Sequence, residues 1–219
     1  MTNKKMNQSN GNRSLFWQIA VIFAIGLILV LIKELGLLSN SALLILQYIG
    51  IYSILALGIN IVNGYMGTFS LAHAGFMAIG AYVSAYLSKY VFMNEWLFIV
   101  SILAGGIVAL LVGSLVAIPS FKTKGDYLAI ITLGFSLIVQ SFLQIAKFVG
   151  AAQGLNNIPK FTNIYWVYGC LVFAVIIVNR FVHSKFGRSL KAIREDQTAS
   201  MLVSVDVRRI KSIAFALSA

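Results

Sequence analysis

Apolar runs of span length alternate with short polar breaks along most of the 219-residue chain. They are Leu15 to Ile32, Ala42 to Val62, Phe69 to Leu87, Leu97 to Ile118, Tyr127 to Phe148 and Ile164 to Val182. Each is near the ~20 residues a helix needs to cross a bilayer. Hydrocarbon offers no hydrogen bonds, so backbone groups must pair within the segment and the runs predict helices. The expected fold is all-α, a polytopic transmembrane helix bundle of about six spans plus the start of a seventh. Residues 1–14 read as a cytoplasmic leader, 15–182 as the membrane region, 183–209 as a cytoplasmic loop and 210–219 as the start of a further span. The first run is not a signal peptide, because Lys33-Glu34 close it and no small-residue cleavage site follows. Ile213 to Ala219 is too short to cross. It either packs against protein or begins a span of a longer chain, and the second reading is preferred.

Composition agrees with lipid as the solvent. The chain is 59% hydrophobic and 11% charged, with a mean hydropathy of +0.89. Soluble domains carry about 25% charge. The net charge of +11 would point to nucleic acid in a soluble protein, but here the basic residues lie in the breaks. With the N-terminus inside, the inner loops hold 13 of the 17 basic residues, the bias expected of cytoplasmic loops. That orientation needs an even number of spans before Arg180. The Asn63 to Thr68 break bears on that count: it reads either as a loop or as a re-entrant turn. Cys170 is the only cysteine, which excludes an internal disulfide and a multi-cysteine metal site. His73 and His183 stand alone, and no metal site is expected.

Small residues form two rows: Ser70, Ala74, Ala78, Ala81 and Ala85 in the third run, and Gly105, Ala109, Gly113 and Ala117 in the fourth. Both read as helix-packing faces, since small side chains let backbones approach in lipid. The fifth run differs. Thr132, Ser136, Gln140 and Gln144 recur every four residues and share a face. Such a face either bonds between helices or lines a polar path. Asn60, Asn63 and His73 could add polar groups to that path, because polar side chains at membrane depth are costly and often functional. No carboxylate, lysine or arginine lies centrally in any run, which argues against a proton-relay pump. No phosphate-binding glycine loop is present either, so driving energy is expected from another subunit.

Arg180 to Lys211 concentrates 8 of the 17 basic residues. From Ser189 it reads as an amphipathic helix with Leu190, Ile193, Gln197 and Met201 on one face, entered flexibly through Phe186-Gly187. Such a helix lies on a membrane surface or docks into a partner's groove.

Three blocks then resemble a known family. They are Asn63-Gly64-Tyr65-Met66-Gly67-Thr68-Phe69-Ser70-Leu71-Ala72-His73-Ala74-Gly75-Phe76, running on to Tyr82; Lys124-Gly125-Asp126-Tyr127-Leu128-Ala129; and Phe186-Gly187-Arg188-Ser189-Leu190-Lys191-Ala192-Ile193-Arg194-Glu195-Asp196. In this order over about 150 residues they resemble the branched-chain amino acid ABC transporter permeases, closest to the member of the permease pair with the Gly-Asp-Tyr-Leu-Ala block. The resemblance implies a multi-pass subunit of the bacterial inner membrane that conducts leucine, isoleucine and valine. It implies a second homologous permease, two cytoplasmic P-loop ATPases that bind the ATP, and an extracytoplasmic binding protein as partners. No cofactor in this chain, no enzymatic activity and no nucleic-acid partner are expected.

The third block implies a coupling helix for the ATPase, drawing on Gly187, Arg188, Ala192, Arg194, Glu195, Asp196 and Ala199. The family's coupling motif, Glu-Ala-Ala, three residues, Gly, falls on Thr198, Ala199, Ser200 and Ser204; only Ala199 matches, and Ser204 in place of glycine weakens the turn. The family also continues beyond this chain's last residue, which implies a truncated chain. Urea and short-chain amide permeases share the blocks. A self-sufficient channel or secondary transporter, or a non-conducting scaffold, are the readings from other classes.

Overall fold

The computed structural model describes residues 39–91, 94–120 and 126–219, with Val21 and Gly26 as isolated helical positions. The first expected span, the basic leader and most of the 119–126 turn lie outside the described residues. The described residues are helical with no strand: α1 (Asn40–Ile59), α2 (His73–Tyr90), α3 (Phe98–Ser120), α4 (Asp126–Ile145), α5 (Ile164–His183), α6 (Lys185–Glu195), α7 (Gln197–Leu202) and α8 (Val207–Ser218). Asn60–Tyr65 extends α1 as a π-turn. Among the described residues, four segments are long and apolar enough to cross a membrane: Asn40–Tyr65, Glu95–Ile118, Tyr127–Ile145 and Ile164–His183.

These residues form two units. The first holds the chain up to Leu57 and Thr162–His183. At Gly50 an added Cβ would collide with Val167, so α1 and α5 meet backbone to side chain there. Ile164, Val167, Leu171 and Val182 are the buried residues of α5.

The second unit holds Gly58–Phe161 and Ser184–Ala219. One close crossing is α2 on α3. A Cβ on Gly105 would lie 2.6 Å from the Gly80 carbonyl oxygen and 3.4 Å from Ser84 Cβ. The fourth-run row therefore packs as expected: Ala109 and Ala117 are buried, and Gly113 faces α8, its Cβ position 3.2 Å from the Phe215 carbonyl. The row expected in the third run does so only in part, with Ser70 buried and Ala78 and Ala85 half-buried. Ala74 and Ala81 are exposed, and α2 presents Gly80 and Ser84 to α3, with Phe76 and Ser88 buried one turn to either side. Glycine removes the Cβ altogether, and its row wins the close approach over a row of methyl groups.

The short terminal run packs against protein. It forms α8, longer than its apolar part, with Val207, Ile210, Lys211, Ala214 and Phe215 buried. Asp206 caps it, its carboxylate accepting from the Arg209 amide at 3.1 Å. Ala72, Phe76 and Val116 form a small core onto which Val112, Phe135 and Ala219 pack.

Candidate functional site

The second unit collects its polar chemistry around the break that follows α1. The helix does not stop at once. Its hydrogen bonds widen to Ile61 O from Met66 N (3.1 Å) and Val62 O from Thr68 N (3.3 Å). Gly67 then turns the chain at φ +70°, a left-handed conformation that favours glycine at a helix end. A Cβ on Gly64 would meet the Asn60 side-chain oxygen, which is exposed and free to turn aside. The third run therefore starts as a helix only at His73, with Met66 to Ala72 outside regular helix.

This non-helical segment is braced at several points. Asn63 Oδ1 accepts the Ser70 amide at 3.0 Å. The Leu71 amide donates to Thr132 Oγ1 at 2.9 Å, and the Leu71 carbonyl accepts from Ser136 Oγ at 2.8 Å. Two hydroxyls one turn apart on α4 thus satisfy both backbone groups of one residue. Thr132 Oγ1 lies within bonding distance of Leu128 O at 2.9 Å and Ala129 O at 3.0 Å as well, and the residue is fully buried. Gly75 lets α2 close on α4, its Cβ position 2.8 Å from the Phe135 ring.

The candidate path residues divide accordingly. Thr132 and Ser136 join the break to α4, whereas Gln140 and Gln144 farther along the same face are exposed. Asn60 is exposed and Asn63 is spent on the Ser70 amide. His73 is 3% exposed at the first turn of α2. Its ring meets Phe76 edge-on at 5.8 Å; the Gly58 backbone lies beside it, and neither ring nitrogen completes a hydrogen bond. At the far end of α2 and α4 an apolar cavity of about 470 Å³ opens among Tyr82, Tyr86, Phe142 and Phe148.

The charged loop is two helices rather than the single one expected. Ser184 starts α6, its hydroxyl accepting from the Gly187 amide at 3.3 Å. Gly187 is accordingly a buried helical residue, not a flexible entry. Asp196 ends α6 and caps α7, accepting from the Thr198 and Ala199 amides at 2.7 and 3.0 Å. A side chain that satisfies free amides at a helix start is worth about 1 kcal/mol, which fixes the kink. The face begun by Leu190 and Ile193, both buried, therefore does not continue to Met201. Gln197 instead accepts from Lys211 Nζ at 3.1 Å. Arg188, Ala192, Glu195, Asp196 and Ala199 are exposed. The end of α7 and its C-cap form an apolar tip, with Met201 51%, Leu202 85% and Val203 75% exposed. Ser204, at the position of the motif's glycine, has φ +60°.

Sequence reasoning missed two features. One is that tip, whose signal was a short apolar triplet between two serines. The other is the inward partner of Arg194, whose Nη1 donates to the Gly64 carbonyl at 2.7 Å. One turn earlier Lys191 Nζ sits 5.4 Å from the centre of the Tyr65 ring.

Comparison with known proteins settles the family. The sequence profile described as "Branched-chain amino acid transport system / permease component" matches residues 41–219. The chain belongs to that family. It is 31% identical to the high-affinity branched-chain amino acid transport system permease protein LivM of Escherichia coli K12, over 90% of this chain and 54% of the relative. It is 24% identical to the probable LivM of Methanocaldococcus jannaschii, over 78% of this chain and 62% of that protein. It is 23% identical to the permease protein LivH of Salmonella typhimurium, over 77% of this chain and 62% of that protein. The chain thus spans about half the length of LivM from E. coli. No solved structure matches it at a significant level.

Proposed function

We propose that this chain forms part of the permease subunit of an ATP-driven importer of leucine, isoleucine and valine. It is not itself an enzyme. ATP is hydrolysed by two cytoplasmic P-loop ATPases, a second homologous permease completes the membrane part, and an extracytoplasmic protein delivers the amino acid. The subunit sits in the bacterial inner membrane with its N-terminus in the cytoplasm. One observation carries the reading: a chain of this family presents a rigidly capped two-helix loop whose apolar tip, Met201 to Val203, stands exposed beside exposed charges. Exposed apolar tips ringed by charge are a usual form of docking surface. The similarity to both LivM and LivH supports a pair of related permeases.

In this reading the loop, through Gly187, Arg188, Ala192, Arg194, Glu195, Asp196 and Ala199, receives the motion of the ATPases. Asn60, Asn63, His73, Thr132, Ser136 and Gln140 border the path of the substrate. Motion of the loop switches that path between the two sides, as in other two-state gates.

Purification of the full-length gene product from its native membrane in mild detergent, read by mass spectrometry, tests the assembly. Recovery of a P-loop ATPase and a second permease is the expected result. Recovery of a lone, monodisperse protein that conducts without ATP would leave a channel or secondary carrier instead. Uptake of labelled leucine against labelled urea in liposomes then decides the substrate class. For the path, cysteines replace Gln140 and, separately, Thr132, with Cys170 changed to serine. Gln140→Cys should react with soluble thiol reagents throughout, and Thr132→Cys in at least one nucleotide state. Thr132→Cys unreactive in every nucleotide state would remove Thr132 from the path.

A further inference from the structure

Arg194 belongs to the exposed stretch proposed to meet the ATPase, yet its guanidinium is turned toward its own chain. It bonds the carbonyl of Gly64, 130 residues away in sequence, at 2.7 Å. That carbonyl lies in the last turn after α1, where backbone oxygens lack helical partners and the helix dipole is negative. A cation there is favoured twice, by charge and by a hydrogen bond. Gly67 makes room for it: a Cβ on Gly67 would lie 2.7 Å from Arg194 Cγ, so only a glycine lets the arginine stem cross the turn. Lys191, on the same face of α6, covers the Tyr65 ring. Beneath these cations Leu190 and Ile193 are buried, so α6 is anchored on its inner side and cannot swing freely.

The other end of the gripped segment is tied just as firmly. Leu71, four residues beyond Gly67, exchanges both backbone groups with Thr132 and Ser136 of α4. A bonded route therefore runs from the cytoplasmic loop to a helix of the candidate path: α6, Arg194, Gly64, the break, Leu71, α4.

We propose that Arg194 is a positioning residue that latches the coupling loop to this break, so that displacement of α6 is delivered to α4 as movement of the Leu71 brace. The inference rests on the coupling reading above and deepens it: Arg194 acts inward on the membrane part, while the outward contact belongs to Arg188, Glu195 and the Met201 to Val203 tip. The latch is a bond that must hold through the cycle, not a switch that opens.

The test uses the assembled importer in liposomes, with ATP hydrolysis and amino acid uptake measured on the same samples. Arg194→Gln should co-purify with the ATPase and hydrolyse ATP, while uptake per ATP falls by roughly tenfold or more, the size of an ordinary coupling free energy. Arg194→Lys, which keeps a donor and a charge, should recover part of it. A residue with only a structural role would lower the yield of complex and leave uptake per ATP unchanged. Unchanged uptake per ATP in an intact Arg194→Gln complex overturns the latch and leaves the importer reading standing. Failure of the unmodified protein to bring an ATPase overturns the importer reading first.

If Arg194→Gln does not assemble, thiol cross-linking decides. The pair Tyr65→Cys with Lys191→Cys, in a Cys170→Ser background that keeps Arg194, should be bridged by a bifunctional thiol reagent long enough to span the two side chains, both without nucleotide and with nucleotide trapped. Cross-linking in only one state, or in neither, overturns the latch.

Discussion

At the α2–α3 crossing, Gly105 meets the Gly80 carbonyl with no side chain between them. At the break after α1, Asn63, Thr132, Ser136 and Arg194 each spend a polar group on a backbone that has left the helix. The two regions solve the same problem in opposite ways. The crossing keeps its backbone bonds inside the helices and gains by proximity, which dispersion rewards over many atoms at once. The break gives up its own helical bonds and has them replaced from outside. The first arrangement tolerates no added volume and contains little that can be exchanged. The second consists of a few discrete bonds that can be made or lost singly. Rigidity is thus concentrated in one place and adjustable connection in another.

The largest expected effect comes from adding volume at the crossing. Gly105→Ala places a methyl carbon 2.6 Å from a backbone oxygen of α2, and neither backbone can move without separating the helices. Overpacking of this kind costs about 1–3 kcal/mol. Gly106 is its control: a Cβ there meets nothing within 4 Å. Gly106→Ala should be neutral or slightly stabilising, since alanine restricts the unfolded chain. Thermal unfolding in detergent of the two variants side by side should show a clear loss for the first only. Equal melting temperatures would mean that the α2–α3 approach is looser than the glycines imply.

Removing a bond from the break should cost less and act more locally. Thr132→Val keeps the shape of the side chain and leaves the part-buried Leu71 amide without its acceptor, a penalty of about 1 kcal/mol. Hydrogen exchange should rise at Leu71 and its neighbours and stay unchanged across α3. If exchange rises equally in α3, the break and the crossing are one cooperative unit and the contrast between them is false.

Much of this was legible because lipid simplifies the code. A run of twenty apolar residues has one viable conformation, so four of the spans expected after Asn40 stood in the sequence, the third run being helical only from His73 and not among them, and Gly105, Ala109, Gly113 and Ala117 marked a packing row. The α2 row was legible only in part, because two small-residue rows have nearly the same spacing, and spacing alone cannot tell Gly80 and Ser84, which touch α3, from Ala74 and Ala81, which face outward. Asp196 hid the kink: it reads as one more charge on a helix until its carboxylate is seen capping α7. Thr132 and Ser136 were singled out as a polar face, but their bonds to Leu71 depend on where a non-helical segment runs in space. The same holds for Arg194. Its residue type announced a charged surface, whereas its partner is a backbone carbonyl, and every residue carries one.

The smallest effect tests the turn that joins the loop to α8. Ser204 has φ +60°, a conformation that costs a residue with a Cβ about 1–2 kcal/mol and glycine almost nothing. Its amide still bonds Met201 O at 3.1 Å and the neighbouring Val205 amide bonds Ser200 O at 3.1 Å, so the turn is held by its backbone. Ser204→Gly should remove the strain but also loosen the unfolded chain, and the two terms partly cancel. The net gain expected is about 0.5 kcal/mol, seen as slower hydrogen exchange at Val203 to Val205 with exchange in α2 and α3 untouched. Because the strain lies on the loop side of the latch, the variant should alter neither the Leu71 brace nor the α2–α3 crossing. Faster exchange at Val203 to Val205 would show instead that serine holds this turn by something other than backbone conformation, and the loop's rigidity would need another source.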